Sequence, residues 1–317
     1  MRSYSLLAAA KINLYLEILG DRPDGYHQLA MVMQSVDLAD QIDLRPLSSD
    51  RIVVHCDRPD VPVDSTNLAY RAAVLIQQQF PEAAAQYGGV EITIHKRIPM
   101  GAGLAGGSTD AAAVLSGLNL MWQLGLTQGE LQTLGESLGS DVPFCIMGGT
   151  ALVTGRGEQL SPLPDLDSLY VVLGKYRSIS VSTAWAYSTY RQQYSDRYIR
   201  DPQGLQTAHY QVHSGPMVSA IAHKDSLKIG QELHNDFEKI VFPQYPELVA
   251  LRDAMQAAGV LGALMSGSGS TVFGLTESRA QAEIVQQTVR QALPNPDLDL
   301  WIAQFSPTGI RLGTLAG

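Results

Sequence analysis

The chain has 317 residues, 45% of them hydrophobic and 17% charged, enough for one large or two ordinary packed domains. With 22 Lys and Arg against 31 Asp and Glu the formal charge is −9, which argues against a nucleic-acid surface, so an anionic ligand has to be held by local donors. Two cysteines far apart, Cys56 and Cys145, an apolar start stopped by Lys11 and the lack of any apolar run of about 18 residues lead us to expect a cytoplasmic protein with reduced thiols and no membrane span.

Alternation in "AKINLYLEIL" predicts a strand with Ile12, Leu14, Leu16 and Ile18 on one face. "GDRPDGYH" breaks it, and "QIDLRPL" and "RIVVHC" read as two further strands. Residues 66–79 have helical spacing in Leu68, Ala72 and Leu75, and "GVEITIHKRIP" reads as a strand ended by Pro99. A helix is expected from about Ser108 to Trp122, and Thr127 with Glu130 forms a capping box for the next one. "GGTALVTGRGEQLSPLP" reads as strand and turn, and "LYVVLGK" as a buried strand. Residues 188–226 are polar and irregular and read as a surface excursion. The segment from His234 to Gly259 is helical with breaks at Pro243 and Pro246, and "ALMSGSGSTVFGL" is strand, glycine turn, strand. A helix over 278–293 and a strand in "DLWIAQF" follow. Strands and helices alternate in both halves without an internal repeat, and we expect an α/β protein of two domains, 1–160 and 161–317.

The stretch "PMGAGLAGGSTDAAAVL" places four glycines, Gly101, Gly103, Gly106 and Gly107, between a strand and a helix. Gly101, Gly103 and Gly106 satisfy G-x-G-x-x-G, but no acidic residue follows at the dinucleotide-binding distance, and a Walker loop would need a lysine that does not follow. A different phosphate cradle fits better. Glycines turn backbone N–H groups toward a ligand without side-chain clash, and the positive end of the following helix favours an anion. Ser108, Thr109 or Asp110 is expected to cap that helix. A tight turn without a ligand is the plain alternative.

This stretch resembles the phosphate-binding motif of the GHMP kinases. "AAKINLYLEILGDRPDGYHQL" at 9–29, "LGSDVPF" at 138–144 and "GALMSGSGSTVFGL" at 262–275 resemble further motifs of that family in the expected order. The resemblance spans nearly the whole chain and is weakest over 188–226. It implies a ribosomal S5 domain 2-like N-terminal half and a ferredoxin-like C-terminal half. It also implies ATP as phosphoryl donor, with Mg²⁺ as its complex. The pair "AKINL" and "RPDGYH" implies a small-molecule acceptor, 4-diphosphocytidyl-2-C-methyl-D-erythritol, phosphorylated on its 2-hydroxyl. No nucleic acid, membrane or obligate protein partner is implied, and no carboxylate cluster argues for a dedicated metal cage. Another small-molecule GHMP kinase would keep the glycine motifs without needing "DGYH", and a non-enzymatic nucleotide-binding relative is a further alternative.

Asp141 matches the family's catalytic base. Lys11 interrupts an apolar strand, where an unpaired ammonium would be costly, and Asp141 is its partner in the family. Asn13 shares the face of Lys11 on a strand and matches a contact to the methylerythritol end. Tyr26 and His27 match residues that hold the cytosine, by stacking and by hydrogen bonds, with Tyr187 (or its rival Trp185) on the opposite face. Pro99, Met100, Gly101, Ala102, Gly103, Leu104, Ala105, Gly106, Gly107, Ser108 and Thr109 are expected along the triphosphate, with Ser108 as a direct or water-mediated Mg²⁺ contact. Asn67 and Lys96 are expected at the adenosine, and Gly267 and Gly269 at a turn near the cleft. Ala102 and Ala105 stand where the family often has glycine, so neither backbone should need a left-handed conformation.

Overall fold

The structure, a computed structural model, describes residues 2–314, with the backbone alone at Pro202, Gln206, His209 and Tyr210. The first half contains β1 (Tyr4–Asp21), β2 (His27–Leu47), β3 (Ile52–Cys56), α1 (Leu68–Gln79), α2 (Pro81–Tyr87), β4 (Gly89–His95), α3 (Gly106–Met121), α4 (Gln128–Glu136), α5 (Val142–Met147), β5 (Thr150–Gly155) and β6 (Gln159–Pro162). The second half contains β7 (Tyr170–Tyr176), α6 (Thr183–Tyr194), α7 (Pro202–His213), α8 (Pro216–Ala222), α9 (Ser226–Gln231), β8 (His234–Asn235), α10 (Glu238–Val241), α11 (Pro246–Ala257), β9 (Ala263–Met265), β10 (Val272–Thr276), α12 (Arg279–Ala292), β11 (Leu298–Gln304) and β12 (Ile310–Leu312). Among the described residues these strands form a sheet of eight and a sheet of four.

The larger sheet is organised by the long β1–β2 hairpin. One edge of β2 pairs β4 through Gln41–Leu47 and β5 through Leu29–Gln34. One edge of β1 pairs β12 antiparallel and the short β8 parallel, so the larger sheet takes strands from both halves of the chain. The smaller sheet runs β11-β7-β10-β9, all antiparallel. Helices α1, α3 and α5 share a buried core with Leu6, Leu44 and Ile92 of the larger sheet. Val171, Leu173, Phe273 and Leu275 of the smaller sheet pack with Ile12, Leu14 and Val36 of the larger one.

The strand containing Lys11 corrects the expected alternation. Ile12 and Leu14 join the core between the two sheets, whereas Leu16 and Ile18 join Phe144 and Phe237 in another. The cause is a register shift: Asn13 pairs with Met33 and Tyr15 with Val32, leaving Leu14 as an extra residue. Such a bulge exchanges the faces of the residues beyond it. Hence Lys11, Asn13 and Leu16 line the same cleft, which strict alternation forbids.

Three further expectations change. The strand before the glycine loop stops at His95 rather than Pro99, because the N–H groups of Arg97 and Ile98 donate to Asp40 Oδ1 (2.5 and 2.8 Å) and that of Lys96 to Asp57 Oδ1 (2.8 Å). The buried face of α1 is Ala69, Ala72, Ala73 and Ile76, one step away from the expected Leu68 and Leu75. Residues 188–226 are mostly helical, in α6, α7 and α8, rather than irregular. Ser182 caps α6 and Pro216 starts α8, while Tyr190, Tyr198 and Ile221 are buried. Their polar faces hide the helical period. The capping box of Thr127 and Glu130 is present at the start of α4.

Helices α1 and α3 pack on each other, and Ala69, Ala72, Ala73, Ala111, Ala112 and Ala113 are all fully buried in one cluster. Small side chains permit that close approach, with no space for larger ones. Ala73→Leu is expected to lower the unfolding free energy by about 1–3 kcal/mol, read from the midpoint of urea denaturation.

Candidate active site

A cleft of about 790 Å³ lies between the β1–β2 hairpin, the glycine loop, α6 and the 266–270 turn. The glycine loop is strapped across it. Leu104 accepts from the Lys11 N–H (3.2 Å), Ala102 from the Thr271 N–H (3.2 Å), and Gly103 from the Ser266 hydroxyl (3.0 Å). A Cβ on Gly103 would lie 2.1 Å from the Ser266 carbonyl oxygen, so only glycine permits the two glycine turns to touch. The 266–270 turn is itself anchored by buried Lys175, which donates to Ser270 Oγ (3.0 Å) and the Ile179 carbonyl (2.6 Å).

Ala105 does adopt the left-handed conformation that we expected it to avoid, with φ 59° and ψ 28°. For a residue with a Cβ this costs about 1–2 kcal/mol, which the flanking bonds at Leu104 and Thr109 must hold in place. Ala105 is the N-cap of α3, and no side chain caps the helix, contrary to the expectation for Ser108, Thr109 or Asp110. The Thr109 hydroxyl donates to the Ala9 carbonyl (2.9 Å) and Asp110 pairs with Lys96, while Ser108 lines the cleft. Among the described residues no side chain accepts the opening N–H groups of α3 at Gly106, Gly107 and Ser108, and these three residues line the cleft at the positive end of the helix.

Lys96 sits behind this helix start rather than in the cleft. Its ammonium lies between Asp40 Oδ2 (2.5 Å) and Asp110 Oδ2 (2.7 Å), and all three groups are buried. Burial pushes the Asp110 carboxyl well above the usual carboxylate range; Lys96 opposes that rise and Asp40 adds to it. Asn67 caps α1 through the Ala69 N–H (2.8 Å) and donates to the Pro62 carbonyl (2.6 Å). Asn67, Lys96 and Thr109 thus stand outside the lining of the cleft, and Leu68 lines it instead of Asn67. These three shape the wall and the helix starts behind it.

At the centre of the cleft Lys11 Nζ and Asp141 Oδ2 are 3.7 Å apart. That is too long for a direct hydrogen bond and leaves both groups able to reach a third oxygen. Lys11 also donates to Asn13 Oδ1 (2.7 Å), which fixes the ammonium. Asp141 is held at the start of α5, beside Pro143 in the first turn.

The far end of the cleft is aromatic. His27 is buried and stacks on Tyr187, with centroids 4.7 Å apart, and Tyr187 meets Phe237 edge-on. The His27 Nε2 atom has no hydrogen-bond partner among the described residues, with Asp21 at 3.6 Å. Burial, helped by the charge of Arg191, holds the imidazole below its ordinary pKa, while Asp21 pulls the other way. A neutral ring with an unpaired buried nitrogen suits the edge of a heterocyclic base. Tyr26 is exposed and lies under the Arg156 guanidinium. Trp185 does not line the cleft, whereas Tyr187 does. Arg156, Arg191, Thr183, Ser140 and Ser268 line it and were not foreseen from sequence. The "GRGE" turn that carries Arg156 was the available signal. No cluster of three or more His, Cys, Asp or Glu that could hold a metal ion occurs among the described residues, and no helix of theirs is long and apolar enough to cross a membrane.

The model of the GHMP kinases N terminal domain matches residues 67–149, and that of the GHMP kinases C terminal region residues 217–295. Over 313 residues, 98% of this chain and 99% of the relative, the chain is 62% identical to the 4-diphosphocytidyl-2-C-methyl-D-erythritol kinase of Nostoc punctiforme. It is 61% identical to the enzyme of that name from Trichodesmium erythraeum, with 98% and 99% coverage. A crystal structure of 4-(cytidine 5'-diphospho)-2C-methyl-D-erythritol kinase superimposes with a TM-score of 0.72 at 34% identity, covering 95% of this chain and 98% of that one. A homoserine kinase from Cytophaga hutchinsonii shares the fold, with a TM-score of 0.76 at 20% identity and 98% of each chain covered.

Two measurements test this geometry. Lys96→Met strands two buried carboxylates and is expected to lower the unfolding free energy by about 3–5 kcal/mol; adding Asp40→Asn and Asp110→Asn should return part of it. The imidazole signal of His27 should titrate with a midpoint below the ordinary value of about 6.5. The folded state then binds less proton than the unfolded chain, so His27 favours folding above the unfolded value and that contribution is lost as pH falls through the folded one.

Proposed function

Because the chain belongs to the GHMP kinase family, and within it to the 4-diphosphocytidyl-2-C-methyl-D-erythritol kinases, we infer that it transfers the γ-phosphoryl group of ATP to the 2-hydroxyl of 4-diphosphocytidyl-2-C-methyl-D-erythritol. The products are ADP and the 2-phosphate, a step of the non-mevalonate isoprenoid route. The observation that carries this reading is the run of one cleft from an uncapped helix start, past the Lys11–Asp141 pair, to a base-sized aromatic end.

In this reading the N–H groups of Gly106, Gly107 and Ser108 and the loop from Pro99 to Ala105 hold the triphosphate of ATP. Asp141 accepts the proton of the attacking hydroxyl, and Lys11 orients Asp141 and balances charge on the acceptor oxygen or the γ-phosphoryl group. Phosphoryl transfer depends mostly on positioning and electrostatic stabilisation, which fits a fixed ammonium beside the carboxylate. Asn13 reaches the methylerythritol end through Lys11's own network. His27 reads the cytosine edge, with Tyr26 and Tyr187 as its aromatic faces. Mg²⁺ enters as the ATP complex, with Ser108 as its direct or water-mediated protein contact. When bound it would supply positive charge against the phosphate oxygens at that end of the cleft.

Asp141→Asn is expected to leave the affinities for ATP and acceptor within several-fold and to reduce turnover by at least about 10²-fold. Near-normal turnover would remove Asp141 from the base role. The reaction itself is tested by ADP release with Mg-ATP and a panel of acceptors: the diphosphocytidyl compound, free methylerythritol phosphate, homoserine, galactose and mevalonate. We expect turnover with the first alone. Preference for another acceptor would keep the glycine loop as the ATP cradle and overturn the acceptor pocket.

A further inference from the structure

A molecule bound with its base at His27 and its reacting hydroxyl at Asp141 must carry the phosphates that join its two halves across the intervening part of the cleft. That stretch is bordered by the turn between β5 and β6. Gly157 in this turn sits against Ser140, the neighbour of Asp141: an added Cβ would lie 3.1 Å from the Ser140 Cβ. The adjacent Arg156 reaches the other way, with its guanidinium carbon 5.1 Å from the centre of the Tyr26 ring. One short turn thus spans from the catalytic carboxylate to the base end.

The other cations of the cleft are engaged. Lys11 is held by Asp141 and Asn13. Arg191 pairs with Asp21 at 2.7 Å and donates to the Gly25 carbonyl. Arg22, just outside the lining, pairs with Asp24 at 3.1 Å and lies 3.6 Å from Glu158. Glu158 also accepts the backbone N–H of Arg156 (2.6 Å), which fixes the turn without using the guanidinium. Among the described residues the Arg156 guanidinium has no carboxylate within ion-pair distance; it lies over the face of Tyr26, and, after the Arg22 hydrogen bond, its charge helps to lower the pKa of the exposed Asp24 carboxyl. A cation on an aromatic face keeps its in-plane N–H donors free, and that planar fork matches two phosphate oxygens.

We propose that Arg156 is a specificity-determining residue that recognises the diphosphate of the acceptor, its guanidinium resting on the face of Tyr26. The proposal rests on the acceptor inferred above. It separates this kinase from relatives whose acceptors carry no internal diphosphate.

The test uses the full chain at saturating Mg-ATP, with CDP and cytidine as competitive inhibitors against the varied acceptor. Arg156→Gln is expected to weaken CDP by about 10- to 100-fold and to leave cytidine unchanged. Arg156→Lys should fall between, because a point charge replaces the fork. The same loss of CDP inhibition is expected when Arg156→Gln is placed on Tyr26→Ala. Equal weakening of CDP and cytidine, or disappearance of the Arg156 effect in the Tyr26→Ala background, would overturn the proposal and leave Arg156 as a prop for the ring. If the wild-type protein phosphorylates the acceptor and Arg156→Gln inhibition is unchanged, the proposal alone fails. If the wild type neither turns over the acceptor nor responds to CDP, the acceptor reading fails, and the proposal with it.

Discussion

A fully buried carboxylate, that of Asp40, decides where the site can form. One of its oxygens takes the N–H groups of Arg97 and Ile98 and so ends β4 before the glycine loop; the other takes the Lys96 ammonium, which reaches on to Asp110 in α3. Strand exit and helix start are thereby tied to one point. Such an arrangement contributes little net stability, because desolvating three charges offsets much of their attraction. Its value lies in geometry. The glycine loop has few side chains of its own to fix it, and buried polar groups that accept only one arrangement supply the missing constraint.

The second constraint is the bulge at Leu14. It lets one strand serve two cores and still present Lys11, Asn13 and Leu16 to the cleft. An ammonium on a straight alternating strand would share its face with every second residue, and Leu16 would then point away. The bulge instead places a charged centre next to an apolar and aromatic end. Charge is thus kept at the Lys11–Asp141 pair, and an aromatic, largely neutral surface at the His27 end. The lowered pKa of His27 is part of the same division.

Much of this was legible in the sequence. The glycine loop, Lys11, Asp141, Tyr26 and His27 were all named from motifs, and the structure brings them into one cleft. Local signals also held for the capping box at Thr127 and for the strand, turn and strand around Gly267. What was missed depended on distant partners. Nothing near Ala105 announces a left-handed backbone, because the bonds that hold it come from β1 and α3. Nothing near Leu14 announces a bulge, since a register shift is a property of two strands together. Nothing near Lys96 announces its two carboxylate partners, because they lie 56 and 14 residues away. Helix α6 escaped notice because only Ala186 and Tyr190 of its twelve residues are buried, and α8 because its buried Met217, Ala220 and Ile221 span less than two turns.

The bare start of α3 has a thermodynamic consequence. Most helices receive a side-chain acceptor for one of the first N–H groups, and α3 has none. In the function proposed above, the nucleotide would complete the secondary structure as well as enter the reaction. Occupancy becomes a folding term: a ligand at a hundred times its dissociation constant adds about 2.7 kcal/mol to the stability of the state that binds it. With Thr109 and Asp110 already anchored, a ligand at this helix start would slow amide exchange chiefly at Gly106, Gly107 and Ser108.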